Sequence, residues 1–204
     1  MYRARTSYLD PADVAHYERN RFSGPLGAYK LRREHAAVGA ALAALPRNLV
    51  VLDCPTGIGR WRGTLADRGH RVVGVDISPA MLAEARTHDG GVPNVCGEAE
   101  NLPFRDGCVD LVFSFALVKH LPRSVRYGVL DEFARVARIG VVCTVNISPP
   151  LLWSWAMKRA PRHRAVDRAA LLDWAQSRGM AMLDFGRCHT PIGMERCLLF
   201  RRTG

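Results

Sequence analysis

The feature that most constrains this fold is a change of pattern at Leu49. From that point, short apolar runs alternate with helical segments. Leu49–Asp53 (LVVLD), Arg71–Asp76 (RVVGVD), Val92–Cys96, Val109–Phe115 and Gly140–Val145 read as strands. Trp61–Arg68, the segment opened by Ser78-Pro79, and Arg123–Ala137 read as helices between them. Val125, Val129, Phe133 and Val136 share one face of the last of these. Strands that are nearly continuous apolar runs, each followed by a helix, imply crossover units and a mostly parallel sheet buried on both faces. After the helix Asp167–Arg178, closed by Gly179, Ala181–Gly186 and Arg196–Phe200 follow one another with no helix between them. The last strand is therefore expected to be antiparallel. The expected fold class is α/β, a three-layer αβα sandwich around a seven-stranded sheet.

Ahead of Leu49 the sequence is helical in character. Asp10-Pro11 is a helix start running to Tyr17, and Ser23–Gly27 (SGPLG) reads as a turn. Leu31, Val38, Leu42 and Leu45 then recur at helical spacing over Ala28–Leu45, until Pro46 stops the helix. We read residues 1–204 as a single domain, with 1–46 a helical cap and 148–165 an insertion after the fifth strand.

Composition narrows the function classes. No apolar run approaches the ~20 residues that span a bilayer, and the N-terminus lacks the apolar core of a secretion signal. None of the 6 cysteines forms a CxxC pair, and several lie in apolar runs such as Val141-Val142-Cys143. That is the usage of buried free thiols in a reduced, cytoplasmic protein, with no metal site expected. The net charge of +10 is almost entirely arginine, with Lys30, Lys119 and Lys158 the lysines. Such charge is compatible with nucleic acid or an anionic substrate. It is also compatible with scattered surface arginines, because the basic residues form only short clusters at Arg32-Arg33, 158–164 and Arg201-Arg202.

The chemistry centres on Val51-Leu52-Asp53-Cys54-Pro55-Thr56-Gly57-Ile58-Gly59-Arg60, a strand feeding a loop with two glycines that opens a helix. Glycine lets the backbone take positive φ and approach a ligand closely. Asp76 ends the next strand, about 20 residues on, where an acid can accept both hydroxyls of a ribose. Both features fall at the carboxyl ends of strands, where ligands of such sheets bind.

With these residues in place, the sequence resembles the class I S-adenosylmethionine-dependent methyltransferases, Rossmann-like enzymes of the small "methyltransferase 11" type. VLDCPTGIG stands for the family's LDxGxGxG, and VVGVDISPAML for its second motif. GEAENLPFRDGCVDLVFSFALVKHL stands for the third. The resemblance covers Val50 to Val145. It implies S-adenosylmethionine as cofactor, with its methionine end held around Asp53, Pro55, Gly57 and Gly59 and its ribose by Asp76. Ile77 and Met81 would flank the adenine, Glu98 and Ala99 would meet its edge, and Ser114 would lie near the amino-acid group. Core packing is the competing role for Ile77 and Met81. His120 is the general-base candidate, with capping of the loop before Pro122 as its alternative.

Two positions depart from the family pattern. Pro55 replaces the first glycine of the loop and offers one N–H fewer. Lys119 precedes His120; facing a pocket it would favour an anionic substrate, whereas at a solvated helix end it would not. The Asn/Asp-Pro-Pro-aromatic motif of amino-directed nucleic-acid enzymes is absent, since Phe113-Ser114-Phe115-Ala116 occupies its place. The expected acceptor pocket is built from Tyr8–Tyr29 and from 148–164, where Trp153 and Trp155 precede Lys158, Arg159 and Arg162. The expectation is methyl transfer to a small molecule, with an anionic one as one form, in natural-product tailoring such as antibiotic biosynthesis. An RNA methyltransferase and a non-catalytic, cofactor-binding pathway protein are the alternatives.

Overall fold

A computed structural model of the chain describes residues 24–88, 91–147, 165–188 and 194–204. The expected helix at Asp10–Tyr17 and almost all of the 148–165 insertion lie outside them. The elements are α1 (Gly24–Ala43), β1 (Val50–Asp53), α2 (Arg62–Ala66), β2 (Arg71–Asp76), α3 (Pro79–His88), β3 (Asn94–Cys96) and β4 (Val109–Ser114). After a 3-10 turn (Val118–His120) come α4 (Arg123–Val136), β5 (Ala137–Asn146), α5 (Arg168–Gln176), β6 (Met180–Arg187) and β7 (Glu195–Arg202). The strand order is β3-β2-β1-β4-β5-β7-β6. β1 to β5 pair in parallel, while β7 runs antiparallel between β5 and β6.

The expected seven-stranded sheet is present, and the antiparallel strand is the last in sequence but lies inside the sheet. The SGPLG turn is corrected: Gly24–Gly27 is already the first turn of α1, where Pro25 has no N–H that an intrahelical bond would need. β5 begins at Ala137, directly after α4, three residues earlier than its apolar run suggests.

Side chains alternate between two cores, as strand geometry requires. Leu52, Val112, Val141, Cys143, Leu198 and Phe200 face α4 and α5 with Leu130, Phe133 and Trp174. Val51, Leu111, Phe113, Val142 and Leu199 face α1 and α2 with Val38, Leu42, Trp61 and Leu65. The sheet is thus covered on both faces. α5 is capped by Asp167, whose side chain accepts from the Ala169 N–H at 3.0 Å. The Trp174 indole packs edge-on to Phe200 at 5.0 Å while its N–H donates to Asp131.

β5 and β7 approach so closely at Gly140 that a methyl group there would collide with the Phe200 carbonyl oxygen. Gly140→Ala should therefore cost about 1–3 kcal/mol, read as a lower urea midpoint. An unchanged midpoint would mean that the two strands part without penalty.

Candidate functional site

Five parallel strands end at one edge of the sheet, and β7 starts there, with Glu195 opposite Asn146. Strand order reverses between β1 and β4, so the crevice lies above Asp53 and Ser114. The loop after β1 first continues toward β4, with the Cys54 N–H donating to the Phe113 carbonyl at 2.9 Å. Past the cis Cys54-Pro55 bond it crosses to β2, where the Thr56 N–H donates to Val75 at 2.8 Å. Gly57 and Gly59 take φ of 54° and 81°, which L side chains rarely adopt. A Cβ on Gly57 would meet nothing within 4 Å, so this part of the backbone faces open space.

Asp53 and Asp76 anchor the loop. Asp76 accepts from the Gly57 N–H through Oδ2 and from the Ser78 N–H through Oδ1, both at 2.9 Å. Asp53 is 1% exposed, and its Oδ2 accepts from the Thr56 hydroxyl at 2.8 Å. Its Oδ1, like Ser114 Oγ at the end of β4, is buried without a hydrogen-bond partner among the described residues. Burial raises both carboxyl pKa values. For Asp53 the result is about 7, with Asp76 adding to the rise while Thr56 and Arg62 oppose it. For Asp76 the backbone N–H groups of Ser78, Gly57 and Ile77 counter the rise. Glycines with positive φ and two buried, unpartnered oxygens at the switch point form a cradle that fits a cofactor carrying an ammonium group.

The other expected residues fall around this crevice. Met81 is buried against Ile58 of the glycine loop and Ala80, which makes it part of a small core cluster. Ile77 is half-buried next to Asp76. Glu98 and Ala99 follow β3, with Glu98 bridged to Asn101. His120 is exposed at the end of the 3-10 turn, and its backbone N–H donates to the Leu117 carbonyl at 2.8 Å.

Lys119 matches neither sequence expectation. It is 4% exposed and forms an ion pair at 2.7 Å with Glu195, itself buried at the start of β7. Nothing local signals this, because the partner lies 76 residues away. Sequence reading also missed Arg62, Thr56 and Asn94, which meet behind the glycine loop, and Glu34 of α1, which pairs with Arg60. The Arg60 guanidinium lies over Trp61 at 4.6 Å and Phe115 at 5.4 Å, clamping α1 to the loop.

Two outcomes follow from the buried charges. Lys119→Met leaves the Glu195 carboxylate buried without its ammonium and should cost about 3–5 kcal/mol, whereas Lys119→Met with Glu195→Leu should recover most of it. A single-variant loss under 1 kcal/mol by urea titration counts against this (about 1 kcal/mol is what an exposed pair contributes). Asp53 retains its proton in the folded chain up to pH about 7, but in the unfolded chain only up to about 4. Its contribution to stability is therefore complete below about pH 4 and is lost as pH rises to about 7. Asp53→Asn should stabilise the ligand-free protein at pH 8 by on the order of 1–3 kcal/mol, read as a higher melting point, with little change at pH 4. Equal effects at both pH values would contradict the assignment.

A model of a methyltransferase domain matches residues 52–145. The chain is 34% identical over 161 residues to a bifunctional biotin-biosynthesis protein of Cellvibrio japonicus, covering 73% of this chain and 32% of that protein. It is 37% identical over 144 residues to a demethylmenaquinone methyltransferase of Beutenbergia cavernae, covering 64% and 56%. The chain thus spans between a third and a little over half the length of these relatives. Magnesium protoporphyrin IX methyltransferase from Synechocystis, solved with bound S-adenosylhomocysteine, has a similar fold at TM-score 0.76 and 18% identity, covering 98% of each chain. With its strand order, its glycine loop and this match, the chain carries a methyltransferase domain over residues 52–145, similar to those of the class I S-adenosylmethionine-dependent methyltransferases.

Proposed function

We propose that the protein transfers a methyl group from S-adenosylmethionine to a small molecule, and more narrowly that it tailors a natural product. The observation that carries the reading is the pair of buried, unpartnered oxygens, Asp53 Oδ1 and Ser114 Oγ, beside an open glycine loop at the switch point. Gly57, Gly59, Pro55 and Asp53 would hold the methionine end and Asp76 the ribose, using acceptor capacity left beyond its backbone bonds. Ile77, Met81, Glu98 and Ala99 would line the adenine. When bound, the cofactor supplies an electrophilic methyl group on a sulfonium. The protein's own task is then alignment of the acceptor and exclusion of water. His120 is the proposed base for an acceptor that must lose a proton, since an imidazole titrates near pH 6.5.

Five ion-paired arginines of the described residues favour a small acceptor over RNA. Arg60, Arg135, Arg138, Arg178 and Arg196 each pair with a carboxylate of the same chain rather than forming a basic face. The relatives' names, in biotin and menaquinone biosynthesis, point the same way.

S-adenosylhomocysteine should bind with micromolar affinity or better and raise the melting temperature, because it binds the native state alone. Neither heat nor thermal shift at millimolar ligand would refute cofactor binding. A methyl-donor consumption screen over small acids, phenols and amines should identify the acceptor. With it in hand, His120→Ala should lower turnover by ~10²–10⁴-fold at unchanged cofactor affinity. A loss below tenfold would return His120 to a capping role.

A further inference from the structure

Behind the glycine loop lies a buried guanidinium that the family motifs do not include. Arg62, the first residue of α2, is 5% exposed. Its Nε and one terminal nitrogen lie 3.3 Å from the Thr56 hydroxyl oxygen, and the same terminal nitrogen donates to Asn94 Oδ1 on β3. To reach Asn94 the side chain passes across β2 at Gly74, where an added Cβ would lie 2.5 Å from the guanidinium. At Gly59 an added Cβ would lie 3.0 Å from Arg62 Cδ and Nε. Two glycines therefore leave room for this one side chain.

The Thr56 hydroxyl has one proton and two lone pairs. With Arg62 donating to its oxygen, its proton is directed at Asp53 Oδ2, 2.8 Å away. This leaves Oδ1 as the carboxyl oxygen with no hydrogen-bond partner among the described residues. The groups facing Asp53 are Thr56 and Cys54 in the loop, Asp76 on β2 and Arg62 on α2. Among them Asp76 opposes ionisation of Asp53, the Cys54 thiol is itself held protonated by burial and both acids, and Arg62 is the cation.

We propose that Arg62 is a positioning residue for the ammonium end of the cofactor: donating to the Thr56 hydroxyl, it orients the Asp53 carboxyl group and places behind it a cation that favours its ionised form. The inference rests on the cofactor-binding reading above and extends it to a residue outside the motifs. It explains why a carboxylate with no formal ion pair can be held in a dry site next to a second acid. It also implies that cofactor affinity depends on pH: an ammonium binds the ionised form of Asp53, so binding below neutrality must release a proton.

The test is calorimetry of S-adenosylhomocysteine binding to the full chain from pH 5.5 to 9, in two buffers of different ionisation enthalpy to count protons. For the natural sequence, affinity should rise with pH through a midpoint near 7 to a plateau above about 8, with up to one proton released per ligand at the acid end. In Arg62→Met the midpoint should move up by about one pH unit, weakening binding about fivefold near pH 7 and about tenfold at pH 5.5, while leaving it within about threefold at pH 9. Thr56→Val should move the midpoint in the same direction, and Arg62→Lys should restore most of it. Uniform weakening at every pH with an unmoved midpoint would reduce Arg62 to a filler of the loop and overturn the proposal. If Arg62→Met does not fold, Thr56→Val and Arg62→Lys decide by the same criterion. Carboxyl 13C NMR of Asp53 in the ligand-free chain provides a second readout. Should no S-adenosylhomocysteine bind at any pH, the cofactor reading fails, whereas an unmoved Asp53 titration in the variants refutes the coupling to Arg62 alone.

Discussion

Asp53 and Asp76 close neighbouring parallel strands, so two carboxylates are taken out of water side by side beneath a single loop. Much of the surrounding structure compensates that arrangement. Gly57 and Ser78 turn their N–H groups onto Asp76, which fixes how the loop leaves β1 and how α3 begins after β2. Thr56 turns its hydroxyl onto Asp53 while Arg62 supports it from behind. The positive φ values of Gly57 and Gly59 are the backbone form of the same requirement, since the loop must fold tightly enough to aim donors at two acids. Asp53 Oδ1 is left with unmet acceptor capacity among the described residues, and the proposed cofactor site draws on it.

A similar economy governs the rest of this arginine-rich chain. Glu34 on α1 is fully buried yet paired with Arg60, whose guanidinium is sandwiched against Trp61 and Phe115. Lys119 and Glu195 are paired across the far side of the crevice. Burying either partner of such pairs alone would be costly, so they constrain geometry more than they add net stability. One pair fixes the cap helix to the glycine loop, and the other fixes the 3-10 turn bearing His120 to β7. The walls of the crevice are thereby referenced to its floor.

The parts of this architecture legible in the sequence are those carried by local pattern. Arg71–Asp76 is a strand with the expected bounds, because an apolar run between Gly69 and Ser78-Pro79 has no other reading. The glycine loop and Asp76 were legible because their spacing reflects one βα unit. β5 was harder, since Ala137, Arg138 and Ile139 continue the helical pattern of α4 but extend along β4 instead. Lys119 was misread because a lysine beside a histidine after a strand has no local mark of burial. Arg62 was missed for a related reason: its partners Thr56 and Asn94 are brought together by the sheet, and only the glycines at 59 and 74 hint that a large side chain passes there.

The placement of β7 between β5 and β6 bears on how the sheet assembles. β6 emerges from α5 and must come to rest one strand-width away from β5, with no ladder partner in place until the chain has turned back and filled the gap. The β6 side of that gap is completed by the turn back into β7, but the β5 side is not local. Closing it brings residues such as Cys143 and Leu198 together across a long stretch of chain, with the loop-closure entropy this implies. The final strand is therefore the keystone of this half of the sheet, and formation of this region should be the slow, high-contact-order step, while β1 to β3 can condense early around their short crossovers.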